Sequence, residues 1–328
     1  MYLAEFLAPL SPDHFFDAYF DQRPLHLTGN TERFGKLLSM KKIDDALAMT
    51  QIWSDVDLQL LMSGKRIPSE QYCHPLRKRN GEFILRPDAD RIRYWVSRGA
   101  SVVLNGVDTY TDGLREIRTM FKDAGFSEVW ANIYVSQKDS MALDVHHDTH
   151  DVWVLQASGL KTWNIWEERE EWPIDHHPKS GRSRHSPSVA APKEKDSRHG
   201  KLLSRVTMRQ GDVLYLPHGW YHSALAEIQA SVHVTFGVRH SSGLDLLQVL
   251  FERAIDDKAF RRPIFQRPGI ENGHFELQER IAELGRRLAG LCKEPGVVDD
   301  VARFIKYSSH YTSKHPLPTV SDLAAISE

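Results

Sequence analysis

The chain has 328 residues, 41% hydrophobic and 26% charged, a balance that excludes wholesale disorder or a collagen-like fibre and allows about two domains. Lysine and arginine number 42 against 44 acidic residues, so the net charge of -2 argues against strong nucleic-acid binding by the whole surface and leaves a local basic patch open. No run of about 18 apolar residues predicts a membrane span. The opening MYLAEFLAPLSPDHFF lacks the form of a secretory leader. The two cysteines, Cys73 and Cys292, sit in neither a CxxC nor a CxxH unit, which speaks against a disulfide framework or a thiolate zinc site and fits a cytoplasmic protein. Histidine is the unusual residue, at 17 copies.

Ser11-Pro12-Asp13 predicts a helix start, with a capping hydroxyl, proline at the first helical position and an early acid. That helix should turn Phe15, Phe16 and Tyr19 inward. Arg23 to Leu27 reads as a short strand closed by Thr28-Gly29-Asn30, and a second helix should begin after Ser39. Leu114, Ile117, Met120 and Phe121 form one apolar stripe, which predicts a helix over 111–124 ended by Gly125. Trp130 to Val135, Asp151 to Gln156 and Lys161 to Trp166 are rich in β-branched and aromatic residues and read as strands.

Residues 167–206 are charged and rich in proline and serine, and read as a surface insertion whose histidines (His176, His177, His185, His199) belong to a solvated loop. Strand character resumes at Val206 and runs through Val213–Leu216 and Ser231–Val238. After Ser241 the chain turns helical. Near 275–292, Leu277, Ile281, Leu284, Leu288 and Leu291 make a heptad-like seam. It suits either packing on the next helix, through Val301, Phe304 and Ile305, or a homodimer contact; two heptads do not decide between them. The division expected is 1–240 for the β-domain and 241–328 for a helical region.

Asp144-Val145-His146-His147-Asp148-Thr149-His150-Asp151 is the densest group of potential metal ligands. On a strand edge His146 and Asp148 point the same way and His147 the opposite way. Further on, Gly211-Asp212 opens a turn, an apolar strand follows, Pro217-His218-Gly219 turns again, and His222 lies on the next strand. His146, Asp148 and His222 together would make a two-histidine, one-carboxylate facial triad, which leaves three positions of an octahedral metal open and suits Fe(II). His150 and His218 compete for the third corner. His147 and His150 would serve zinc only on a helix, and the segment has no helix signals or H-E-x-x-H pattern. His218, in a turn, reads as supporting or solvent-facing. Lys161 shares strand parity with Trp163 and Ile165, so its ammonium lies on an apolar face; it either snorkels out at the rim or pairs with an acidic co-substrate.

Asn132-Ile133-Tyr134-Val135, HHDTHDVWVLQASGLKTW and GDVLYLPHGWYH, in that order, resemble the JmjC/cupin 2-oxoglutarate oxygenases, in particular their ribosomal-oxygenase-like (cupin-4) branch. The likeness covers roughly residues 1–250. It implies a mainly β fold, a double-stranded β-helix (jelly roll) with N-terminal α/β elements and a C-terminal helical region. It also implies Fe(II), 2-oxoglutarate and O2 as cofactor and co-substrates. By the resemblance His146, Asp148 and His222 take the metal positions and Lys161 pairs with the distal carboxylate of 2-oxoglutarate. Asn132, Tyr134 and Thr235 or His233 are further co-substrate contacts. The implied activity is hydroxylation of a side chain in a protein or peptide, either a ribosomal protein or a biosynthetic precursor, with Trp153, Trp220 and Tyr221 as candidate aromatic contacts. The alternatives are a small-molecule hydroxylase, an N-methyl-lysine demethylase and a non-catalytic metal-binding cupin that serves as an interaction module. The chain departs from that branch in the polar 167–206 stretch and in having only about 80 residues after the barrel, short for a winged-helix domain.

Overall fold

Alternating and β-branched segments pair into three sheets in the computed structural model, which describes residues 1–29, 41, 44, 45, 48, 52–141, 143–174, 199–264 and 273–307. The strands are β1 (Leu25–Leu27), β2 (Leu58–Met62), β3 (Lys65–Arg66), β4 (Cys73–Arg77), β5 (Phe83–Pro87), β6 (Ser101–Leu104) and β7 (Glu128–Ser136). They continue with β8 (Ser140–Met141), β9 (Asp151–Gly159), β10 (Lys161–Arg169), β11 (Leu202–Met208), β12 (Val213–Leu216), β13 (Trp220–Ala226) and β14 (Ser231–Arg239). The major sheet has eight strands in the order β1-β12-β9-β14-β7-β6-β2-β3, and the minor sheet four, β11-β10-β13-β8. β4 and β5 form a separate hairpin. From β9 onward the chain passes between the two sheets, β9, β12 and β14 lying in the major and β10, β11 and β13 in the minor, and every pairing among the described strands is antiparallel. This is the double-stranded β-helix that the resemblance implies.

The two-residue period of a strand gives the major sheet two different faces. Val129, Ala131 and Ile133 of β7, Trp153 and Leu155 of β9, and Val234, Phe236 and Val238 of β14 point outward. They are covered by the helices Leu3–Leu7, Pro12–Ala18 and Asp112–Asp123, with Phe6, Phe15 and Phe121 packing around Trp153. Each such fully buried side chain contributes roughly 1.5–3 kcal/mol. Residues of opposite parity face the interior between the sheets. There Val152, Val154, Trp163, Ile165, Met208, Leu214, Leu216 and Trp220 form a second apolar cluster.

The chain divides into two units, Met1–Arg239 and His240–Glu328. In the second, the helices Gly243–Ala254, Lys258–Arg261, Gly273–Leu291 and Val297–Tyr307 follow one another. The seam helix Gly273–Leu291 packs on Gly243–Ala254, which also receives Val297–Tyr307. An Arg253–Asp300 ion pair ties the first of these helices to the last. Leu291 is buried, whereas Ile281 is 60% exposed. No helix among the described residues is long and apolar enough to cross a membrane.

Several expectations need correction. Phe16 is 37% exposed because it stacks on Phe20 and Phe126 at the edge of the aromatic cluster, leaving the centre to Phe15. The insertion is shorter than 167–206. β10 continues to Arg169 and β11 starts at Leu202, since antiparallel pairing of Trp166 with Leu202 carries polar residues that a hydrophobic pattern cannot reveal. His199 is not a solvated loop residue, for its ring lies 5.2 Å from that of Trp166. His176, His177 and His185 lie outside the described residues, as does most of 30–51, where the helix after Ser39 was expected.

Candidate metal centre and co-substrate pocket

His146 and His222 exchange both main-chain hydrogen bonds in an isolated antiparallel bridge, with N to O distances of 3.0 and 2.8 Å. This fixes two imidazoles from distant parts of the chain side by side, with ring centroids 4.4 Å apart. Each ring is then oriented by a main-chain carbonyl. His146 Nδ1 lies 2.7 Å from the oxygen of Asp144, and His222 Nδ1 lies 2.9 Å from the oxygen of Trp220. A carbonyl can only accept, so Nδ1 carries the proton in both rings and each Nε2 offers a lone pair.

Asp148 completes the group, with Oδ2 at 3.6 Å from His222 Nε2. One ligand atom from each of the three lies within 4.8 Å of the others. Burial pushes the Asp148 carboxyl up, but the surrounding imidazoles of His150, His146, His222 and His147 outweigh it and hold the group below its ordinary value. Burial, and next His146, push His222 down to about 4, so both histidine and acid present unprotonated donors at neutral pH. Two imidazoles and a carboxylate gathered in this way fit a divalent metal that keeps open positions for other ligands.

The turn that brings β13 to the metal is braced separately. Gly219 N–H donates to the Asp148 carbonyl at 2.8 Å, and Glu170 N–H donates to the Gly219 carbonyl at 2.9 Å. Its φ of +80° and the Glu170 carbonyl at its α-carbon leave room for glycine alone. Beside it His218 Nδ1 lies 2.8 Å from Asp151 Oδ1 and Nε2 lies 3.4 Å from Asp21 Oδ1. Tyr215 O–H donates to Asp151 Oδ2 at 2.8 Å and accepts from the Asp21 N–H at 3.2 Å, closing a ring of four residues. His218 is therefore a brace, neither a ligand nor solvent-facing. His150 packs on Trp130 and His147 on Tyr221, and neither belongs to the three-residue ligand group.

The interior parity brings the remaining expected residues together. In the β7–β14 register Asn132 pairs with Thr235 and Tyr134 with His233, and the Tyr134 and His233 rings stack at 4.8 Å. Asn132 Oδ1 accepts the Gly106 N–H at 3.1 Å, and a side-chain hydrogen bond links Asn132 to Tyr134. Tyr134 is pushed up to about 12 by burial, and next by Asp148, so it is a hydrogen-bond donor at neutral pH. Lys161 is 1% exposed, settling the choice between snorkelling and burial in favour of burial. No acidic partner lies beside it among the described residues, and burial pushes its ammonium down to about 8.

Lys161 Nζ donates to Ser136 Oγ at 2.9 Å, and Ser101 Oγ donates to the same oxygen at 3.1 Å. Ser101 has one hydrogen, so Ser140, 2.8 Å away, must donate to Ser101. Ser136 therefore accepts twice and keeps its own hydrogen for another acceptor. The three serines were not foreseen, because they meet only where β6 and β7 of the major sheet approach β8 of the minor sheet. Trp153, at 0% exposure, and Trp220, at 9%, are buried in the two apolar clusters and offer no peptide contact, whereas Tyr221 is half-buried at the histidine-rich mouth.

A double-stranded β-helix that gathers a His-Asp-His donor set is the class of scaffold the geometry defines. Residues 110–246 match the JmjC domain family model. It is 24% identical over 322 residues (97% of this chain) to the bifunctional lysine-specific demethylase and histidyl-hydroxylase NO66 of Drosophila yakuba, and 26% over 256 residues to that of Aedes aegypti. The chain spans 42% and 37% of those two proteins. The structure of YcfD, a ribosomal oxygenase from Escherichia coli in complex with cobalt and 2-oxoglutarate, superposes with a TM-score of 0.55 at 17% identity, covering 94% of this chain and 73% of that one.

Proposed function

We propose that this protein is an Fe(II)- and 2-oxoglutarate-dependent oxygenase that hydroxylates a side chain of a protein or peptide. The observation that carries the proposal is the pairing, in one interior, of a preset His-Asp-His donor set with a buried lysine that has no counter-charge among the described residues. His146, Asp148 and His222 would hold the metal. Lys161 would take the distal carboxylate of 2-oxoglutarate, which replaces the missing counter-charge. Asn132, Tyr134 and Thr235, which line the same face, would orient the rest of the co-substrate. His233, held well below its ordinary value by burial and Lys161, stays neutral and stacks Tyr134 in place. When bound, the iron supplies the redox chemistry that couples decarboxylation of 2-oxoglutarate to succinate with insertion of one oxygen atom into a C–H bond. The apolar cluster around Trp163 and Ile165 keeps bulk water from the site.

A polypeptide substrate is favoured by the relatives, whose names describe action on histidyl and lysyl groups or a ribosomal role. The test is succinate release and a mass gain of one oxygen atom in candidate ribosomal-protein peptides, with Asp148→Ala as control. Turnover with metabolites and none with peptides would refute the polypeptide reading. A homodimer through the helical unit is proposed on the exposed apolar side chains Leu247, Phe251 and Ile281, and sedentary monomer mass across concentrations in analytical ultracentrifugation would refute it.

A further inference from the structure

The modest net charge conceals a segregated one. Between residues 65 and 98 there are nine lysines and arginines against four acidic residues, a net of +5, so the rest of the chain carries -7 to give the total of -2. Seven of the nine are arginines. This segment contains β3, the β4–β5 hairpin and the helix Ala89–Ser97, all on one insert between β2 and β6. Its parts are tied together: Arg91 Nη1 donates to the Cys73 carbonyl at 2.8 Å, and Asp88 N–H to that of Tyr72 at 2.8 Å.

The hairpin projects basic and aromatic groups into solvent. Arg77, Lys78 and Arg79 are exposed at its tip, and Phe83, the register partner of Arg77, is 69% exposed. On the following helix Tyr94 is 53% exposed, with the Arg98 guanidinium over its ring at 5.0 Å. Lys78 pairs with Glu82 at 3.9 Å and Arg93 with Asp90 at 2.7 Å, both at the surface, where such pairs are weak and readily exchanged.

The same insert begins close to the metal centre. The Ser63-Gly64 turn before β3 abuts the Asp144 carboxylate so closely that Gly64 has no space for a Cβ, and the Asp144 carbonyl is the one that orients His146. The exposed β3 residues Lys65 and Arg66 thus lead away from the rim of the site.

We propose that this insert is an RNA-binding surface that holds single-stranded RNA beside the active site. Arginine outnumbers lysine, which suits bidentate phosphate contacts and stacking. An exposed phenylalanine directly across the ladder from an arginine offers a base-stacking platform next to a phosphate contact. An acidic peptide would use the charge and leave Phe83 idle. The proposal deepens the polypeptide reading, since a substrate presented on RNA would be captured by both, yet RNA binding is measured without turnover.

The experiment is fluorescence anisotropy of a labelled oligouridine with the full chain, over a series of salt concentrations. Binding that weakens with salt is expected. Arg77→Ala with Arg79→Ala should flatten the log–log salt slope by about 1.4, at about 0.7 per phosphate contact on a single strand. Phe83→Ala should weaken binding about tenfold with the slope unchanged. Each variant is exposed, so an unchanged melting temperature is expected, and succinate release should stay at the parent rate. No binding at low salt, no effect of the arginine changes, or equal competition by polyglutamate with no effect of Phe83→Ala would each overturn the proposal. Loss of succinate release in the parent chain with RNA binding intact would instead count against the oxygenase reading alone.

Discussion

Lys161→Met makes the sharpest test of the co-substrate pocket, because it should improve stability while removing function. The unfolded lysine titrates near 10.5, and burial pushes it down to about 8 in the folded protein. At about 1.36 kcal/mol per pH unit that gap costs about 3 kcal/mol at neutral pH. Methionine fills similar volume without the charge, and Ser136 Oγ still accepts from Ser101, so no polar atom is orphaned. For a lysine whose folded value is lowered, the cost is full below about 8 and vanishes above 10.5. The variant should therefore melt several degrees above the parent at pH 7, with the advantage shrinking as pH rises toward 10.5. The assay is urea denaturation followed by tryptophan fluorescence at several pH values, beside calorimetric titration with 2-oxoglutarate, whose binding should fall at least a hundredfold at about 3 kcal/mol or more for a lost buried charge pair. A variant less stable than the parent at pH 7, or one that still binds 2-oxoglutarate normally, would refute the reasoning.

The same lysine predicts a pH profile: 2-oxoglutarate needs the ammonium form, so its apparent Kd in the parent should rise about tenfold per pH unit above about 8, and a flat profile to pH 10 would exclude Lys161 as its partner. Gly219→Ala should press on the Glu170 carbonyl and displace the Asp148 main chain, lowering cobalt affinity about tenfold or more in a calorimetric titration. His218→Ala breaks the ring with Asp21 and Asp151 and should weaken metal binding less than tenfold, since Gly219 still holds Asp148; complete loss of metal would show that His218 is itself a ligand. Arg118→Leu leaves Asp108 buried without its partner at 3.0 Å and should cost about 3–5 kcal/mol in urea denaturation.

The residues with chemistry were legible where local pattern is enough. A strand edge puts His146 and Asp148 on one side, and β parity puts Lys161 with Trp163 and Ile165; both follow from the two-residue period. Helix ends were legible for the same local reason, as with the Ser11 hydroxyl accepting the His14 N–H at 3.2 Å. What stayed hidden is set by pairing between distant strands. The Ser140–Ser101–Ser136 hydroxyl chain spans strands that carry no shared motif, and the His218 ring needs Asp21, almost two hundred residues earlier, as Tyr215 shows by a separation of 194 residues. Trp153 and Trp220 look like contacts in a list of aromatics near ligands, but parity sends Trp153 to the helix-covered face and Trp220 to the interior. The basic insert escaped notice because a whole-chain sum cancels it.

The most direct measurement of the central claim is an anaerobic titration of the Fe(II)-loaded protein with 2-oxoglutarate, followed by visible absorption. A charge-transfer band that needs both components, and that is absent from Asp148→Ala, is the predicted result. A folded, iron-loaded protein in which 2-oxoglutarate produces no such band would contradict it.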